Sequence, residues 1–149
     1  MDLTKIAKKT ISECLYLNIA SITPSGSPWN TPVYYTFDNN FNLYWYSDKN
    51  SIHSENIRNN QEIFITIYMP DEKSPGIYIE AIAFELSTEE EISNLSMRDN
   101  TKYDPKEFLR ESPLRMYKAI PSKVSISTPE TANKYKEWWV DKRIEIMLD

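Results

Sequence analysis

The residues of this chain best suited to chemistry lie close together: Ser47, Ser51, His53, Ser54 and Asn56, with Asp48, Lys49 and Asn50 between the first two serines. Ser51 is a helix-capping residue type, and Ile52 and Ile57 suit the apolar face of a short helix, so a helix is expected to open at Ser51. The first turn of a helix leaves backbone N–H groups without intrahelical acceptors and carries partial positive charge, and both attract an anion. Hydroxyls at Ser47, Ser51 and Ser54 add donors, and the set suits a phosphate. Plain helix capping accounts for the same serines, and the residues alone leave both readings open. His53 is the sole histidine. Its imidazole can pair with an anion below its ordinary pKa of about 6.5, or lie on a solvated helix face.

Other chemistries fail on inventory. One histidine and one cysteine, Cys14, cannot assemble a closed zinc site, and no Ser-His-Asp set falls at a signature spacing. With Gly26 and Gly76 as the only glycines, there is no glycine-rich phosphate loop. The acidic run Thr88-Glu-Glu-Glu91 reads as a helix start, where carboxylates suit the dipole, rather than as a metal cluster. A net charge of −5, with Lys5, Lys8 and Lys9 as the only basic cluster, argues against a nucleic-acid partner. No run approaches the roughly 18 apolar residues of a membrane span, and the N-terminus lacks the apolar core of a signal peptide. A lone cysteine cannot form an internal disulfide, and Cys14 falls in an apolar helical stripe, so a reducing, cytoplasmic setting is expected.

These residues need a scaffold, and the pattern supplies one. At 149 residues the chain is expected to form a single domain over 1–149. An aromatic content of 13% with so few glycines favours strands over a helical bundle. An amphipathic helix is expected over Asp2–Leu15, capped by Asp2. Strands are expected over Tyr16–Ile22, Trp29–Phe37, Leu43–Ser47, Glu62–Tyr68 and Ile77–Leu86, with turns at Thr23–Pro28 and Asp38–Asn42 that imply an antiparallel meander. The stretch Asp48–Asn60 is too long for a hairpin and holds the helix that opens at Ser51. Ser87 is expected to cap a helix running to about Arg98 through a capping box, and Asp104-Pro105 to open another. Strands resume at Leu114–Ile120 and Lys123–Ser127, and one over Arg143–Leu148 is expected to close the sheet. The class is mainly β with peripheral helices, α+β, built on an antiparallel barrel.

The order of these segments resembles the FMN-binding split barrels related to pyridoxamine 5'-phosphate oxidase. The residues that carry the resemblance are the Gly26-Ser-Pro28 turn, Asn30-Thr-Pro-Val33 on the second strand, Tyr46-Ser47 at a strand end, Ser51-Ile-His53-Ser-Glu-Asn56 at the helix start and Arg58-Asn-Asn60 after it. Gly76–Ala83, Leu114–Pro121 and Arg143–Leu148 resemble the strands that follow. The resemblance implies an antiparallel FMN-binding split β-barrel and a homodimer with FMN at the subunit interface. It places Tyr46, Ser47, Ser51, Ile52, His53 and Asn56 around the FMN phosphate, and Asn30, Thr31, Pro32 and Val33 beside the isoalloxazine. His53 stands where the family usually has a Lys or Arg, so a cationic His53 would make FMN affinity weaken as pH rises. Arg143 is implied to reach the phosphate or ring. Trp139, with Trp138, is implied either to cover the flavin as a lid or to clamp the dimer.

Departures from the family pattern bear on activity. Thr31 and Thr36 align with an Arg and a Lys of the oxidase proper, Ile52 replaces a second basic residue, and the oxidase's C-terminal substrate motif is reduced to Trp138, Trp139 and Arg143. The leading expectation is therefore an FMN-dependent oxidoreductase with an unidentified small-molecule substrate. The alternatives are a non-catalytic flavin- or haem-binding sensor or carrier, and a deazaflavin-dependent reductase, against which the acidic balance argues.

Overall fold

The computed structural model describes residues 2–70, 75–127 and 142–149. Helix α1, Leu3–Glu13, is capped by the Asp2 carboxylate, which accepts from Lys5 N, and buries Ala7 and Ile11 against the sheet. The strands are β1 (Tyr16–Ile22), β2 (Pro28–Tyr34), β3 (Thr36–Phe37), β4 (Leu43–Asp48), β5 (Glu62–Ile67), β6 (Gly76–Glu85), β7 (Leu114–Ser127) and β8 (Ile144–Ile146). Helix α2, Ile52–Asn59, joins β4 to β5, and α3, Glu89–Ser93, follows β6. A 3₁₀ turn over Pro105–Glu107 is capped by Asp104. Among the described residues no helix is long and apolar enough to cross a membrane.

Among the described residues all strand pairings are antiparallel, in the order β2-β1-β5-β6-β7-β4-β3, with β8 beside β7. Both ends of this order belong to one stretch of chain, since β2 and β3 are separated only by Tyr35. The expected strand Trp29–Phe37 is thus two segments. The first pairs with β1 and the second with β4, and the sheet must curl to bring both partners within reach. This is the mainly β split barrel with peripheral helices. Both expected hairpins form, the first with Gly26 at a φ of 88°, a conformation costly for other residues. The meander does not continue: β4 lies beside β7, not β5, because α2 carries the chain across to the far side of the sheet.

Other differences have local causes. The expected break at Pro121-Ser122 is a bulge inside one strand: the register shifts between Glu80 and Ala81, Ser122 is the extra residue, and its Oγ donates to Glu80 O at 3.0 Å. Proline has no N–H for the ladder, so a bulge accommodates it. The capping box belongs to Thr88 and Glu91 rather than to Ser87, and α3 stops at Ser93 instead of running to Arg98. The last strand, β8, is confined to Ile144–Ile146 and lies against the far half of β7, so it does not close the sheet.

Alternate residues of each strand fill the interior, among them Leu17, Ile19, Leu43, Trp45, Ile65, Ile79, Tyr117 and Ile126. Trp45 stacks on Tyr117 with ring centroids 5.7 Å apart. The bend at Tyr35 is fastened from both sides. Its hydroxyl donates to Ile11 O at 2.6 Å and its N–H to Leu15 O at 3.2 Å. Arg98 donates to Tyr35 O at 2.9 Å and to Ser12 O at 2.7 Å, binds Cys14 O as well, and lies 4.7 Å from the centroid of the Tyr35 ring. One guanidinium thus satisfies carbonyls at the end of α1 and at the bend. Arg98→Ala leaves those carbonyls short of donors and is expected to cost about 3 kcal/mol of stability. Urea unfolding tests this; a loss below about 0.5 kcal/mol, the range of an ordinary surface substitution, contradicts it.

Candidate functional site

Strand β4 ends at Asp48, and three residues later α2 opens with Ser51 as its cap, so Ser47 is carried on a strand and the remaining polar groups on a helix start. They form one connected network. His53 Nε2 lies 2.7 Å from Ser47 Oγ and 3.3 Å from Ser51 Oγ. Ser51 Oγ donates to Ser54 Oγ at 2.8 Å, and Ser54 Oγ donates to Asp48 O at 2.9 Å. Ser54 N donates to Ser51 Oγ at 3.4 Å, a long cap. The N–H groups of Ile52 and His53, in the same first turn, have no intrahelical acceptor. The Asp48 carboxylate accepts from Asn50 N at 2.8 Å. The groups left to donate outward are neutral, the Ser47 hydroxyl and backbone N–H, which fits a phosphate.

His53 is only 8% exposed, and burial holds its imidazole below the usual histidine pKa, because the cation would lose hydration without gaining a charged partner. In the chain without a ligand, burial thus favours the neutral imidazole. Guanidinium groups lie on the flanks. Arg58, in the last turn of α2, donates to Lys49 O at 2.6 Å. Arg115 stands directly across the β4–β7 ladder from Ser47 and donates to Ser112 O and Arg110 O. Both share Glu85, at 3.6 Å and 3.2 Å. Sequence reasoning gave Arg115 no role: it stands 68 positions beyond Ser47, and only the β4–β7 pairing, which no local pattern announces, brings them together.

The other expected residues are placed as follows. Asn56 is buried on α2 and donates to Ser21 Oγ at 2.9 Å, tying the helix to β1 rather than facing the hydroxyls. Ile52 is 43% exposed beside the helix start. Tyr46 points to the opposite side of β4 from Ser47, its ring against Tyr103 and Phe108. Along β2, Asn30 and Pro32 are exposed, Thr31 accepts from Trp29 Nε1 at 3.0 Å, and the Val33 side chain is in the core. Among the described residues strand β2 pairs only with β1, which explains Pro32: an edge strand tolerates a residue with no N–H. Thr36 is buried on β3 and donates to Ser96 O at 3.1 Å, away from α2. Arg143 lies 3.6 Å from the Tyr78 ring centroid, next to the Ser125 end of β7. That is ten residues from Arg115, on the order of 30 Å along the strand, so a single chain does not bring Arg143 to the serines. Trp139 and Trp138 lie outside the described residues.

No family model and no curated protein matches this sequence. Solved structures do match the fold. A protein from Listeria innocua proposed as a pyridoxamine 5'-phosphate oxidase is 16% identical, with a TM-score of 0.66 over 84% of this chain and 98% of its own. A pyridoxamine 5'-phosphate oxidase-related, FMN-binding protein from Nostoc punctiforme is 15% identical, with a TM-score of 0.62 over 86% of this chain and 82% of its own. A haem-binding protein from Mycobacterium smegmatis is 13% identical, with a TM-score of 0.70 over 99% of this chain and 58% of its own. At these identities the likeness establishes the fold. Because proteins described as FMN-binding and as haem-binding share it, the fold does not choose the cofactor, and the site has to.

The buried imidazole makes a prediction independent of any ligand. An unfolded chain takes up a proton at its histidine near pH 6.5, whereas folded His53 resists until lower pH. The neutral imidazole's contribution is thus complete above about pH 6.5 and lost progressively as pH falls from there to the folded pKa. The slope is at most one proton's worth, about 1.4 kcal/mol per pH unit. Subtracting the unfolding free energy of His53→Gln from that of the parent across pH 5 to 7.5 isolates this term, and a flat difference contradicts it.

Proposed function

From a chain that has the split-barrel fold of the pyridoxamine 5'-phosphate oxidase-like proteins, we propose that it binds FMN, with the phosphate at the start of α2 and the flavin ring along the outer edge of β2. The observation that carries this reading is the convergence of Ser47, Ser51 and Ser54 hydroxyls on one helix start, linked through His53. The Ser47 hydroxyl and the first-turn N–H groups would hold the phosphate, while β2 would offer backbone groups of its outer edge to the ring. Bound FMN supplies hydride or electron transfer, and the protein supplies binding, orientation and exclusion of water. No side chain is needed as acid or base, and none is assigned as catalytic. An oxidoreductase with a small-molecule substrate is the activity that follows.

A haem reading is less well supported. An axial ligand is the usual requirement, and Nε2 of the one histidine is already taken up by two hydroxyls. The acidic balance of −5 disfavours the long acidic tail of a deazaflavin.

The subunit reading is a homodimer with FMN at the interface. On the sheet face turned away from the core, Tyr16 is 61% exposed, Tyr68 57%, Ile120 43%, Ile22 42%, and Tyr34 and Ile82 39% each. These large apolar side chains share the face that a partner subunit would cover. Arg143, on the same face over Tyr78, would approach the partner's flavin.

Purification, denaturation and identification of the released chromophore by mass and absorbance test the cofactor. FMN is expected, either carried through purification or taken up on addition; a Soret band, a deazaflavin, or no uptake of FMN contradicts the reading. Sedimentation equilibrium is expected to give a dimer, and a monomer at micromolar concentration contradicts the shared site.

A further inference from the structure

Each serine in the network has one proton to donate, and this fixes the direction of the Ser51 and Ser54 bonds. The carbonyl oxygen of Asp48 can only accept, so the Ser54 proton is spent on it. Ser54 Oγ therefore accepts from Ser51, whose proton is spent in turn. Ser51 Oγ then faces His53 Nε2 at 3.3 Å with lone pairs alone. A bare Nε2 would set lone pair against lone pair, whereas a protonated Nε2 donates. With the proton on Nε2, the shorter contact of 2.7 Å is His53 donating to Ser47 Oγ. The hydrogen of Ser47 is left for a different acceptor, and Ser47 is half-buried, open on one side.

We propose that His53 is a positioning residue that acts through Ser47: its Nε2–H holds Ser47 Oγ as an acceptor and so turns the Ser47 hydroxyl proton toward a phosphate oxygen. The inference rests on the FMN reading above. His53 works as a neutral donor behind the first layer of contacts, not as a counter-charge to the phosphate. Its burial agrees with that part, since a group 8% exposed presents little of itself to a ligand. An imidazole suits the task because Nε2–H is held in the ring plane, whereas an ammonium would bring a charge into a site built of neutral groups.

Two measurements on the folded full chain decide the matter. Because His53 is the only histidine, ¹⁵N-histidine labelling shows its two ring nitrogens without assignment. At pH 7.5 the neutral tautomer with the proton on Nε2 is expected, both alone and saturated with FMN; the Nδ1–H tautomer, or an imidazolium in the FMN complex, overturns the proposal. The second measurement titrates FMN and riboflavin, which lacks the phosphate, into the parent, His53→Gln, His53→Leu, Ser47→Ala and the Ser47→Ala/His53→Leu double variant. Glutamine places an N–H where Nε2 lies, so His53→Gln is expected to keep FMN affinity within about threefold, while His53→Leu loses about tenfold or more and leaves riboflavin unchanged. In the Ser47→Ala background His53→Leu is expected to add no further loss.

Equal losses in the Gln and Leu variants overturn the proposal and leave the phosphate site standing. A parent chain that binds riboflavin as tightly as FMN overturns the phosphate site and the proposal together. Should His53→Leu not fold, the Gln variant and the parent spectrum still decide.

Discussion

The bend at Tyr35 is the constraint on which the rest of the structure depends. Two short strands on either side of one residue must pair with β1 and β4, which otherwise stand at opposite ends of the sheet order. Only a strongly curled sheet satisfies both, and the native right-handed twist makes such a curl accessible. Arg98 holds the bend by donating to Tyr35 O, a carbonyl that a straight strand would have paired in a ladder, and to Ser12 O at the end of α1. Tyr35 itself is wholly buried, and burial pushes its phenol far above the ordinary tyrosine range, so the hydroxyl stays a donor to Ile11 O at any working pH.

Closure also determines where chemistry can occur. In the sheet β4 and β5 are not neighbours, so the connection between them has to cross from one side to the other, and α2 is that crossing. Its start is fixed to β4 through Ser47 and Asp48, and its middle to β1 through the Asn56–Ser21 bond. The helix start is therefore held on rigid elements at both ends, next to the edge strand β2. This suits a site that must present several donors at once, because each one moved out of line loses a bond without releasing its neighbours. Asn56, expected beside the phosphate, instead contributes by fastening the helix.

Much of this was legible in the sequence, and the limits have physical reasons. The ends of β1, the caps at Asp2 and Ser51 and the turn around Gly26 follow from local preferences, and the structure has them where the residue types place them. The bend at Tyr35 was not legible, because Trp29–Phe37 keeps the alternation of a single strand and what divides it is the position of its two partners. The bulge at Ser122 likewise depends on β6, some forty positions earlier. At the site, the gathering of Ser47, Ser51 and His53 was readable because all lie within one strand-to-helix turn. The depth of His53 was not, since a lone histidine near a helix start can face either way, and burial is decided by the sheet beneath it. Arg115 and Glu85 were silent for the same reason that β7 beside β4 was: long-range pairing leaves no local mark.

The central claim is that the start of α2 holds the phosphate of a flavin. A crystal structure of the chain with FMN tests it most directly. The account predicts phosphate oxygens within hydrogen-bond distance of Ser47 Oγ and the first-turn N–H groups of α2, with the ring along β2. A phosphate bound elsewhere, with the Ser47 hydroxyl turned to another partner, would contradict it.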